Sequence, residues 1–127
     1  MRVLLDTNIL LRLALEAHPT HSEAVSAVKR IRQRGDEPAI VPQVLYEYWV
    51  VATRPADKNG LGLSPVQARQ AIDEFTRSMI ILRDERGIFM NWLTLVTDHA
   101  VSGKRSHDTR LVAAMLRHDL TELITFN

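Results

Sequence analysis

Four short apolar runs, set apart by longer segments of helical periodicity, constrain this chain more than any single residue does. They are Val3 to Leu5, Ala39 to Val41, Met79 to Leu82 and the closing Glu122 to Asn127. Each is too short for an ordinary helix and is rich in aliphatic or β-branched residues, which suits a buried strand. Between them apolar residues recur at helical spacing: Ala24, Val28 and Ile31, then Ala68, Ala71, Ile72 and Phe75, then Ile88, Trp92, Leu93 and Val96, with Trp92 read as core, then Leu111, Val112 and Met115. Strands that alternate with helices imply parallel pairing, because parallel neighbours need long crossovers and helices supply them. The expected fold is therefore α/β, with a central parallel sheet between two helical layers. In such a sheet the carboxyl ends of the strands border the crevice in which ligands bind. Polar residues at the point where each run stops are thus the first candidates for function.

The chain has 127 residues, the size of one compact domain, and 46% of them are apolar, enough for a real core. Cysteine is absent, so a metal would be held by oxygen or imidazole, which points toward hard cations. Asp6, Asn8 and Arg12 interrupt the opening apolar stretch, which reads as a strand and an amphipathic helix and not as a signal peptide or membrane span. No membrane partner and a cytoplasmic location are the default expectation. The net charge is only +1, so affinity for nucleic acid would have to come from local clusters such as Lys29 to Arg34 or Lys104-Arg105. Such runs are more often solvated helix faces.

Three carboxylates stand at informative places. Asp6 ends the first run, immediately before Thr7 and Asn8, which are suited to opening a helix; it either points into a site or only caps that helix. Glu47 lies three residues after Val44 and four before Val51, on the inward side of a helix spanning residues 44–53. A carboxylate there must be neutralised by a cation, protonated, or ion-paired with an arginine. Asp108 follows the polar loop Ser102 to His107 and opens the next helix, where it either joins the site or merely complements the helix dipole. If all three reach one edge of the sheet they repel one another, and a divalent cation, Mg2+ or Mn2+, is the economical remedy. His107 either contacts a phosphate or serves as a local cap. Further along, Asn59-Gly60 marks a turn, and Ser64-Pro65 with Gln67 has the form of a helix start with a capping box.

Val3-Leu4-Leu5-Asp6-Thr7-Asn8, the inward Glu47, Ala52 to Pro55 followed by Asn59 to Leu63, Val101 to Lys104, and His107-Asp108 with Leu111 to Ala114 together resemble a PIN domain, most of all the VapC-type toxins of bacterial toxin-antitoxin pairs. The resemblance runs over essentially the whole chain. It implies a metal-dependent ribonuclease whose acids fall on Asp6, Glu47 and Asp108, with Thr7, Asn8, Thr125 and Asn127 on the wall of the site. It also implies an RNA substrate, a cognate antitoxin and a homodimer, for which Trp49 and Val50 are available. One departure stands out: the family pattern continues past Thr125 to Asn127 into a fourth acid and a last strand, so residues 1–127 are expected to form a single PIN-like domain lacking that strand. A non-catalytic PIN-like module that binds RNA or protein is the alternative.

Overall fold

A computed structural model describes residues 1–126; Asn127, expected on the wall of the site, lies outside the described residues. In chain order the elements are β1 (Arg2–Leu5), α1 (Thr7–Ala14), α2 (His21–Gln33), β2 (Glu37–Ile40), α3 (Pro42–Thr53), α4 (Pro65–Ser78), β3 (Ile80–Ile81), α5 (Arg86–Asp98), α6 (Arg105–Arg117) and β4 (Leu123–Ile124). The strands form one parallel sheet in the order β3-β2-β1-β4. Helices cover it in the three-layer α/β/α arrangement expected from the alternation of runs. With both faces covered, the central strands are apolar beyond their exposed first residues, Arg2 and Glu37, and Val3, Leu4, Leu5, Ala39 and Ile40 are fully buried.

Register places the site. Leu5 sits beside Ile124 and Leu4 beside Ala39, so β1 ends level with its neighbours and Asp6 emerges from the middle of the sheet at its carboxyl edge. The Asp6 backbone N–H donates to the Ile124 carbonyl at 3.0 Å, which fixes the last point of β1 against β4 before the chain turns into α1.

Element boundaries shift where backbone chemistry was hidden in the sequence. Helix α3 begins at Pro42 and not at Val44, because proline loses nothing at a first helical position, and this brings Gln43 into the helix. Helix α6 begins at Arg105, three residues before Asp108, so Asp108 lies within the first turn instead of opening the helix. Gly103, at φ +64, turns the chain there, and the Ser106 hydroxyl donates to the Gly103 carbonyl at 2.7 Å. The capping box of α4 forms as expected: Ser64 and Gln67 exchange side-chain and backbone hydrogen bonds. Beyond α3 the loop folds back so closely that a Cβ on Gly60 would stand 2.0 Å from the Arg54 carbonyl oxygen, which only glycine tolerates.

Tyr48 is the largest fully buried side chain, edge-on to Phe75 with ring centroids 5.2 Å apart. Its hydroxyl has no hydrogen-bond partner among the described residues. Burial, with Glu74 adding to it, pushes the phenol above its ordinary pKa, so the group is neutral at physiological pH and its cost is that of an unpaired hydroxyl. Tyr48→Phe is therefore expected to stabilise the protein by about 1 kcal/mol in urea unfolding. A loss of stability of that size would show that the hydroxyl is bonded. Among the described residues, no helix is long and apolar enough to cross a membrane.

Candidate active site

Asp6 begins the site as the N-cap of α1, in extended conformation, so its side chain stays at the sheet edge while the backbone turns away. Its Oδ1 accepts from the Thr7 backbone N–H at 2.7 Å and its Oδ2 from the Thr125 hydroxyl at 2.9 Å. Asn8 completes the clamp: its Nδ2 donates to Thr125 Oγ1 at 3.1 Å and its Oδ1 accepts from the Phe126 N–H at 3.2 Å. Thr7, Asn8 and Thr125, expected beside Asp6, all stand there. They tie the end of β4 to the first turn of α1.

Glu47 is joined to Asp6 by a single residue. Thr7, only 8% exposed, donates its hydroxyl to Glu47 Oε2 at 2.7 Å while its backbone serves Asp6. The other Glu47 oxygen accepts from Gln43 Nε2 at 2.9 Å, one helical turn earlier. No ion pair reaches Asp6, Glu47 or Asp108 among the described residues. The arginine pairing open to Glu47 in the sequence is thus not made, and neutral donors alone hold its carboxylate.

Gln43 is the residue that the sequence did not single out. It is 6% exposed, and its Nε2 also donates to the His107 carbonyl oxygen at 2.9 Å, while its Oε1 accepts from Arg110 Nη1 at 3.0 Å. Arginine can only donate, which fixes the amide oxygen toward Arg110 and leaves both N–H bonds for the two acceptors. Arg110 is also paired with Asp84 at 3.3 Å. Gln43 thereby fastens the first turn of α6 to α3. His107 enters this network through its main-chain carbonyl, and Asp108 follows it as an exposed member of that turn.

Hydrogen bonds thus run from Asp6 through Thr7 to Glu47, and through Gln43 to the residue before Asp108. Among the described residues, however, no three His, Cys, Asp or Glu side chains stand close enough to enclose a metal ion. The donor set suits a hard divalent cation in kind, since it is all carboxylate oxygen with no bound counter-charge. Its spacing is not that of a finished cage.

One cleft contains Glu47, and a second adjoins it. The first, of about 450 Å³, is lined by Gln43, Tyr46, Glu47, His107 and Arg110. The other, of about 380 Å³, lies between α5 and α6, shares His107 and Arg110 with the first, and is walled by Phe89 and Trp92. Trp92, expected in the core, is half-buried: it packs on the core and also faces this cleft.

The PIN domain family model matches residues 3–127. No curated protein matches the chain. Among solved structures it is similar to the Mycobacterium tuberculosis toxin VapC20, described as cleaving the sarcin-ricin loop, with a TM-score of 0.72 and 15% identity over 98% of this chain and 89% of that one. A toxin-antitoxin complex from Klebsiella pneumoniae superposes with a TM-score of 0.67 and 23% identity, over 98% of this chain and 86% of that one. VapBC2 from Rickettsia felis, bound to a DNA fragment from its promoter, gives a TM-score of 0.69 and 17% identity over 100% of this chain and 88% of that one. At such identities the likeness is one of fold.

Proposed function

Because the chain belongs to the PIN domain family, we propose that it is a Mg2+- or Mn2+-dependent endoribonuclease and the toxin of a toxin-antitoxin pair. The observation that carries this reading is the placement of Asp6 and Glu47, bridged by Thr7 at the carboxyl edge of the sheet, with no cationic side chain on either among the described residues. Asp6 and Glu47, with Asp108 from the first turn of α6, are the residues that would hold the cation. When bound, a divalent ion supplies an activated water and relieves negative charge at a phosphodiester undergoing hydrolysis. The protein's own part is orientation: Thr7 and Thr125 fix the two oxygens of Asp6, and Thr7 and Gln43 those of Glu47. The toxin assignment is supported by neighbours that are themselves VapC toxins or toxin-antitoxin complexes. The partner would be an antitoxin that offers an arginine or lysine to the uncompensated acids. Tyr46, Trp49 and Val50 form an exposed apolar face on α3 that suits a second copy of the chain.

A non-catalytic module that binds RNA or protein is the second reading, favoured by the lack of a finished three-acid cage among the described residues. Incubating the protein with single-stranded and stem-loop RNA separates the two. Cleavage is expected with Mg2+ or Mn2+ and none in excess EDTA, and millimolar Mn2+ should raise the melting temperature by several degrees. Cleavage that survives EDTA would overturn the metal assignment. RNA left intact in both metals, with no thermal shift, would favour the binding module.

A further inference from the structure

We propose that the cleft between α5 and α6, beside the cleft that contains Glu47, is a subsite for one unpaired nucleobase of the RNA; this rests on the ribonuclease reading above. Phe89 and Trp92, nearly one turn apart on α5, lie close to parallel, with ring centroids 6.1 Å apart and planes 27° from each other. Phe89 is 56% exposed, so much of a large aromatic ring is presented to solvent. The Trp92 ring is held in place by its Nε1, which donates to the Ser106 carbonyl oxygen at 2.8 Å, so the platform exists before any ligand arrives. At about 380 Å³ the cleft is on the scale of a small-ligand site.

The composition of the other wall favours a base over an apolar side chain or a phosphate. His107 and Arg110 supply polar groups there, and the remaining charge is internally matched: Glu85 pairs with Arg117 and Arg110 with Asp84. A wall with polar groups and little net charge suits a neutral, flat, hydrogen-bonding ligand. Position selects RNA in particular. His107 and Arg110 also line the cleft that contains Glu47, so a strand whose phosphodiester lies at the acids can place a neighbouring base between α5 and α6. Stacking on aromatic side chains is the common, sequence-tolerant way to hold such a base.

The test measures binding of a fluorescein-labelled, adenosine-rich single-stranded RNA in EDTA, where no metal-dependent cleavage competes, by anisotropy. Phe89→Ala is expected to raise Kd about tenfold and Phe89→Tyr to restore it. Met90→Ala, which changes an exposed residue of the same helix outside the cleft, should bind as wild type does. Oligonucleotides with one abasic position, scanned along the strand, should include one that wild type binds about tenfold more weakly and Phe89→Ala does not discriminate. Equal affinities for wild type and Phe89→Ala would overturn the proposal. So would a loss in Phe89→Ala that is the same for intact and every abasic RNA, or a dimer dissociated by Phe89→Ala with RNA affinity unchanged, which would assign the cleft to a second copy. Phe89-dependent binding in a wild type that cleaves nothing in Mg2+ or Mn2+ supports the subsite and counts against the ribonuclease reading alone.

Discussion

Asp6→Asn is expected to lower divalent-dependent RNA cleavage by at least about 10²- to 10³-fold, the scale of losing one preorganised electrostatic group at a reacting centre, while the protein stays folded. Asparagine can keep the structural duties of this position: its Oδ1 still accepts from the Thr7 N–H, it remains a good N-cap, and its Nδ2 can turn the Thr125 contact around by donating to the hydroxyl. What it cannot supply is the charge. Removing one of two linked carboxylates also relieves repulsion with Glu47, so the variant in EDTA should melt at or above the temperature of wild type. Mn2+ should then stabilise wild type more than the variant. If cleavage survives at more than a tenth of wild type, or both proteins respond equally to Mn2+, Asp6 is only a cap and the metal belongs elsewhere.

How far the sequence revealed this site depended on the kind of signal each residue carried. Asp6 was legible because an apolar run that stops on an acid and passes into a helix has few meanings in a parallel sheet, and its neighbours Thr7 and Asn8 were legible with it. Glu47 stood out because a charge at the inward helical spacing demands an explanation, and the structure answers with Thr7 and Gln43 in place of an arginine. Gln43 was invisible for the opposite reason: a neutral amide among apolar residues raises no alarm, and although Glu47 is one helical turn away, its other two partners lie 64 and 67 residues along the chain. The start of α6 was misplaced by three residues because the turn at Gly103 and the Ser106 hydroxyl decide it, and neither outweighs Asp108 in a pattern of helix-opening residues. Trp92 was half right, since periodicity reports which side of a helix is apolar and not whether a neighbouring helix leaves a gap beside it.

Removing the Gln43 side chain is the other change with a large expected effect, on stability and activity together. Gln43→Ala takes three hydrogen bonds out of a site that is only 6% exposed, orphaning Glu47 Oε1, the His107 carbonyl and one arm of Arg110, and it leaves a void behind. The loss should be about 2–4 kcal/mol in urea unfolding. Cleavage should fall about 10- to 100-fold, as for loss of a group that orients a metal-binding carboxylate, with the effect mainly on kcat because Glu47 is loosened while the RNA surface is kept. Gln43→Glu separates orientation from volume. It fills the same space and can still face Arg110, but when ionised it offers no donor to Glu47 or to the His107 carbonyl and sets a second carboxylate where the amide stood 2.9 Å from Glu47 Oε1. Two carboxylates so placed repel each other, so Gln43→Glu measured in EDTA at pH 7 should be less stable than wild type. A Gln43→Glu protein as stable and active as wild type at pH 7, or a Gln43→Ala protein within about 1 kcal/mol of wild type, would mean that the amide does not hold Glu47 and that α6 is fastened to α3 by packing alone.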